Sequence, residues 1–235
     1  MNTNKKTARI VGVLFLTAMV TSILGGAIIE SILTAPDYLI DVSANETQVV
    51  IGVLLELINA TAVVGIAVMM FPLFKKHNEA LALGYVGFRI IEAVIAIGAV
   101  ITPLTLIALS QEYLTAGASD ASYFQTLGTS FIEVRAQLVG QMLGIFFSIG
   151  ALLFYYLLYQ SKFVPRFISV WGLIGAVLVL TWNLLEILGI SLSVGMILAL
   201  PIILNEIFLG IWLIAKGFNP SSIVSDSAKA DIDEV

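Results

Sequence analysis

VVIGVLLELINATAVVGIAVMMFPLF, residues 49–74, is followed at once by KKHN, residues 75–78, and then by a second apolar run from Ala80 to about Leu109. The first run holds one ionisable residue, Glu56. Each run exceeds the roughly 20 predominantly apolar residues that cross a bilayer. Inside hydrocarbon, unpaired backbone N–H and C=O groups are too costly to leave open, so a crossing segment of this kind is a helix. The Lys75-Lys76 pair between the runs marks a turn at a membrane surface.

Four further runs have the same character: Thr7 to about Leu33, a run that starts between Ser130 and Gly140 and ends at Tyr159, Phe167 to about Ile190, and Val194 to about Ala215. The expected fold is therefore all-α, a polytopic membrane helix bundle of six transmembrane helices over residues 1–219. Residues 220–235 are polar, acidic and rich in small residues, and are expected to form a disordered cytoplasmic tail. The first run is longer than the h-region of a secretory signal, which points to a retained anchor.

Composition agrees. Of 235 residues, 59% are apolar and 11% charged, with mean hydropathy +1.03, whereas soluble domains average about 25% charged residues. Charge distribution gives the orientation. Nine of the eleven Lys and Arg residues (Lys5, Lys6, Arg9, Lys75, Lys76, Lys162, Arg166, Lys216 and Lys229) fall on one side of the six-span layout. The loops of the other side contain none. Cytoplasmic loops hold Lys and Arg, so both termini are expected in the cytoplasm. Tyr85, Tyr155, Tyr156, Tyr159, Trp171 and Trp212 fall near that side, as an interfacial aromatic belt would.

Several function classes lose their support. The net charge of −5, without a basic patch interleaved with aromatics, gives no handle for nucleic acid. There is no cysteine, and the single histidine, His77, lies in a loop. Thiolate chemistry, haem ligation and His-based zinc sites thus lack their residues. No cofactor, metal or catalytic residue is assigned, and an enzyme is the less favoured reading.

What the bilayer should have excluded is more informative. Glu30, Glu56, Glu92, Glu133, Glu186 and Glu206 fall in or beside the apolar runs, with Asn59, Gln137, Gln141, Asn183 and Asn205. An ionised side chain at the centre of a spanning helix costs about 2.5–3.5 kcal/mol on insertion scales. Such residues face the bundle interior, pair with one another, or line a wet cavity. Arg89 and Glu92 are three apart and share a helix face. Glu56 and Asn59 are also three apart, as are Asn183 and Glu186. Those two helices run in opposite directions, so both pairs place Glu on the exterior side of Asn. Asn205 and Glu206 follow Pro201. Glu133, Gln137 and Gln141 would make one stripe on an α-helix. Glu30, Glu133 and Arg135 are expected at the exterior interface, where long side chains snorkel.

Three blocks resemble a known family. Gly87-Phe88-Arg89-Ile90-Ile91-Glu92-Ala93 is similar to an F-R-x-x-E-A signature. Pro165-Arg166-Phe167-Ile168-Ser169-Val170-Trp171-Gly172-Leu173-Ile174-Gly175 resembles an I-P-R-W-L-A-x-W-G-L-I-G block. The ending from Leu200-Pro201 through Asn205-Glu206 to Lys216-Gly217-Phe218 resembles an L-P-x-x-x-x-E…K-G-F terminus, with Asn205 where Gln is common. All three belong to the bacterial integral-membrane family catalogued as domain of unknown function 4386. The resemblance implies a protein of the bacterial plasma membrane, and it carries no established activity.

Six acids cannot all be neutralised by Arg89 and Arg135, so some are protonated or reach water. The favoured expectation is a polar intramembrane core that binds or transports a small solute or protons from the exterior. Arg89, Glu92 and Glu206 would form its centre, with Asn205, and Glu56, Asn59, Asn183 and Glu186 would line the entrance. The alternatives are an accessory or signalling membrane protein with a purely structural polar core, and an intramembrane hydrolase. The lipid bilayer is the one partner implied directly.

Overall fold

The computed structural model describes residues 3–115, 121–190, 192 and 194–219. The expected acidic tail, 220–235, lies outside the described residues. Helices run over α1 (Thr3–Leu33), α2 (Tyr38–Ala44), α3 (Glu46–Phe74), α4 (Glu79–Thr115), α5 (Ala121–Ala136), α6 (Leu143–Ser161), α7 (Arg166–Ile187) and α8 (Gly195–Ala215). A π-helical turn, Gln137–Met142, joins α5 to α6 without a break. Among the described residues, six helices are long and apolar enough to span a bilayer, α5 and α6 counting as one.

Short connections make chain neighbours antiparallel. The packing order is α1 on α3, α3 on α4, α4 on α6, α6 on α7, α7 on α8, and α8 back on α1. The six spans thus close into an up-and-down ring. An even number of crossings brings the two ends of the ring's chain together, and Lys5 and Ala8 lie beside Gly217. Lys75, Lys76, Lys162, Arg166 and Lys216 flank helix termini at that same end. We call it the basic end; Asp37, Asp41, Glu46 and Glu112 mark the opposite, acidic end.

Closure of α1 on α8 depends on small residues. A Cβ at Gly12 would lie 2.6 Å from the Gly210 carbonyl oxygen and 3.1 Å from the Ile214 nitrogen. Backbones at that separation admit only glycine, the usual device for close helix contact in membranes. Outward faces stay apolar: Leu83, Val94, Ile101, Ile174, Ile197 and Ile211 are all exposed. In water such a surface would be an aggregation liability; against lipid it is solvated.

The interior has two apolar layers. Toward the basic end Phe15, Met70, Phe74, Tyr85, Phe154 and Phe163 form an aromatic plug. Phe74 touches Tyr85, Phe154 and Phe163 at ring-centroid distances of 6.0, 5.6 and 6.4 Å. Toward the acidic end Ile29, Leu33, Leu39, Val49, Val100 and Leu106 pack together. The polar residues lie between and around these layers.

Two expectations on element limits change. The fourth span begins at Ala121 rather than within 130–140, and α4 runs on to Thr115. At about 1.5 Å per residue, these helices exceed a hydrocarbon core of about 30 Å. The surplus, rich in Ser, Thr and Gln, stands beyond the apolar belt. There it forms a cap with α2, where Tyr38 donates from its hydroxyl to the Gln125 carbonyl at 2.8 Å. Polarity hid this helix because hydropathy reads only the part that lies in lipid. The belt also loses two members: Tyr85 and Tyr155 are buried at 0% and 1% exposure, whereas Tyr156 and Tyr159 face outward.

Candidate functional site

On α4, Arg89 donates from Nη1 to Glu92 Oε2 at 2.8 Å, the pair expected from their spacing. Both side chains are buried, at 3% and 7% exposure. The guanidinium carbon stands 5.5 Å from the Tyr85 ring centre and 5.3 Å from that of Phe147. Such contacts are worth roughly 2 kcal/mol or more when desolvated. The guanidinium stem passes Gly150 on α6, where a Cβ would stand in ordinary contact with Arg89 Cδ at 3.6 Å.

Next to this pair lies a cavity of about 250 Å³ inside the ring. Five helices line it: α1 with Phe15, Ala18, Met19, Ser22 and Ile23; α3 with Asn59, Val63 and Ile66; α4 with Arg89 and Glu92; α6 with Leu143 and Phe147; α8 with Ile203 and Glu206. Glu206 lies in the electrostatic field of Arg89, Glu92, Tyr85 and Tyr155. Among the described residues it makes no hydrogen bond and no ion pair within 4.0 Å. The Asn59 amide is likewise without a hydrogen bond. The Tyr85 and Tyr155 hydroxyls, and Arg89 Nε, are buried without a partner. An unsatisfied buried polar group costs about 1–3 kcal/mol. The Tyr155 ring is admitted only because Gly172 on α7 carries no side chain to collide with it.

A second buried cation is the main departure from expectation. Arg135, 1% exposed, points into the ring instead of snorkelling to an interface. Its guanidinium binds both carboxylate oxygens of Glu56, the Nη1 contact at 3.2 Å, and reaches Glu30 Oε1 from Nε at 3.4 Å. Nη1 also donates to the Ala99 carbonyl at 3.1 Å. One side chain of α5 thereby joins α1, α3 and α4. Ala99 is ten residues along α4 from Arg89, about 15 Å of helix rise between the two backbone positions. Arg135 stands two residues before the π turn. The wider turn undoes the α-helical spacing on which the Glu133, Gln137, Gln141 stripe rested, and Glu133 and Gln137 face outward.

The expected constellation divides accordingly. Arg89, Glu92, Glu206 and Asn59 meet at the cavity. Glu56 is held by Arg135. Asn205 is fully buried and donates to the Ile168 carbonyl at 2.9 Å, tying α8 to α7. Asn183 donates back to the Val179 carbonyl at 2.8 Å and fills the space left by Gly144. Glu186 accepts from Trp182 Nε1 at 2.7 Å near the end of α7. Tyr85, Tyr155, Phe15 and Phe147 were not singled out as site residues. Only the turn-by-turn position of Tyr85 before Arg89, at i and i+4, hinted at contact.

Among the described residues, no three His, Asp or Glu side chains converge as a metal-binding group. Comparison with curated proteins and with solved structures found no match. A family model does match, over residues 10–217, and the chain belongs to that family, described as Domain of unknown function (DUF4386).

Proposed function

We propose that the ring is a membrane-embedded binding module that takes a small solute into its central cavity. The observation that carries this reading is a cavity of about 250 Å³ beside a buried ion pair, with a carboxylate and an amide facing it unpartnered. Ligand sites are concave, mostly apolar, and fitted with a few convergent polar groups. An engineered apolar cavity of about 150 Å³ already holds benzene. The aromatic plug closes the basic end, and a second apolar layer packs toward the acidic end. Ser22 and Ile23, exposed on α1, form the cavity's rim.

Lys and Arg distribution supports the basic end as cytoplasmic, and the family resemblance supports a bacterial plasma membrane. The chain has no native cysteine, so single cysteines report the topology without background. Ser122→Cys is expected to react with an impermeant maleimide in intact cells, and Lys75→Cys only after permeabilisation. The reverse pattern would invert the orientation.

Occupancy is tested by filling the space. Ala18 lines the cavity on α1. A compound screen read by thermal melting of the purified protein should find stabilising solutes. At 100 times Kd, a ligand stabilises by about 2.7 kcal/mol. Ala18→Trp should melt near wild type without ligand and lose the response to every hit. If no solute shifts the wild type, or Ala18→Trp responds equally, the reading fails. That result would favour a purely structural polar core, for which the complete pairing of Arg135 is the supporting observation.

A further inference from the structure

We infer that the cavity selects a small organic cation, an amine with an aryl or alkyl body, whose ammonium group rests on Glu206. This rests on the cavity being a binding site and adds the chemical class of its ligand. Charge decides first. Arg89 is engaged with Glu92 at 2.8 Å and has aromatic rings of Tyr85 and Phe147 beside it. With that pair neutral overall, an ionised Glu206 leaves the cavity one negative charge in excess. A carboxylate or phosphate ligand would meet Glu206 and Glu92 with only a committed guanidinium to offset them. A monocation neutralises the excess.

Donor geometry agrees. An ammonium has three N–H donors and no acceptor. Glu206 on α8, the Asn59 carbonyl oxygen on α3 and the Ser22 hydroxyl on α1 are acceptors on three different helices around one cavity. The remaining wall is Phe15, Met19, Ile66, Phe147 and Ile203, which suits an apolar body and leaves nothing to pair with a second charge. A bare metal ion fits poorly. Calcium takes 6–8 oxygen ligands and magnesium six, far more than one free carboxylate, an amide and a hydroxyl supply. A proton could neutralise Glu206 and would leave the apolar part of the cavity without a use.

The test uses three probes of one shape and different charge: phenethylamine, 2-phenylethanol and phenylacetate. Binding is measured by calorimetry on the full chain in lipid nanodiscs. Phenethylamine should bind at least ten-fold tighter than the alcohol, and phenylacetate weakest. Glu206→Gln should weaken the amine ten-fold or more and leave the alcohol unchanged. Should that variant fail to fold, Glu206→Asp, which withdraws the carboxylate by one methylene, must weaken the amine more than the alcohol. Phenylacetate as the tightest ligand, or an amine affinity indifferent to both variants, overturns the proposal. Equal binding of amine and alcohol, both abolished by Ala18→Trp, overturns the charge assignment while leaving the cavity as a site. No binding by any probe overturns the aryl-cation class, and the compound screen then decides the cavity by itself.

Discussion

Arg135→Met is expected to lower stability by about 3–5 kcal/mol, the cost of breaking a buried ion pair by removing one partner. Arg135 and Glu56 are 2% and 13% exposed in their side chains. Without the guanidinium, Glu56 keeps its charge or takes a proton with no other cation paired to it among the described residues, and the Ala99 carbonyl loses its donor. Glu30 is 54% exposed and matters less, because it can be solvated at the surface. The effect should be recoverable. Glu56→Gln added to Arg135→Met removes the stranded charge, and replacing both members of a buried pair by neutral groups is often close to neutral. Thermal melting of the purified protein checks both arms. A single variant as stable as wild type, or a double variant no better than the single, would show that the contact is not a stability element.

The second large effect is expected at Arg89. Arg89→Met leaves Glu92, 7% exposed, with no base, and Glu206 close by as a like charge. A loss of about 3–5 kcal/mol follows from the same physics. Arg89→Lys separates charge from shape. An ammonium can still neutralise Glu92, but it lacks the planar, delocalised face that lies against Tyr85 and Phe147. Lys should therefore retain part of the stability, falling between wild type and Met, and Arg89→Met/Glu92→Gln should recover most of the Met deficit. If Lys proves as damaging as Met, ring packing and not charge sets the requirement at this position. Arg89 and Ala99 lie about 15 Å apart along α4, and the two ion pairs share no partner. Their effects should add within about 0.5 kcal/mol, as they do for distant sites.

Both pairs are ion pairs of a membrane interior, yet only one was readable from the chain. Arg89 and Glu92 lie on one helix, and a three-residue step puts their side chains on one face whatever the rest of the protein does. Arg135 meets Glu56 and Glu30 across 79 and 105 residues of chain. Nothing local distinguishes that outcome from an arginine turned toward the head groups. The π turn compounds the problem: one wide turn shifts every later side chain around the axis, so Gln141 leaves the α-helical register of Glu133 and Gln137. Glu56 and Asn59, three apart, were expected to act together. The structure gives Glu56 to Arg135 and Asn59 to the cavity.

By itself, the sequence determined the six spans, their order, their up-and-down alternation and the common end at which their basic residues gather. It could do so because a bilayer imposes a length and a demand for internal hydrogen bonds on each span separately. Only the tertiary structure decided that α8 closes back on α1, that Glu56 serves Arg135, and that Glu206 and Asn59 share a cavity with the Arg89–Glu92 pair. These depend on how far each helix is rotated about its own axis. Helices apolar on nearly every side give no local sign of that rotation, which is set by close packing at residues such as Gly12 and Gly172.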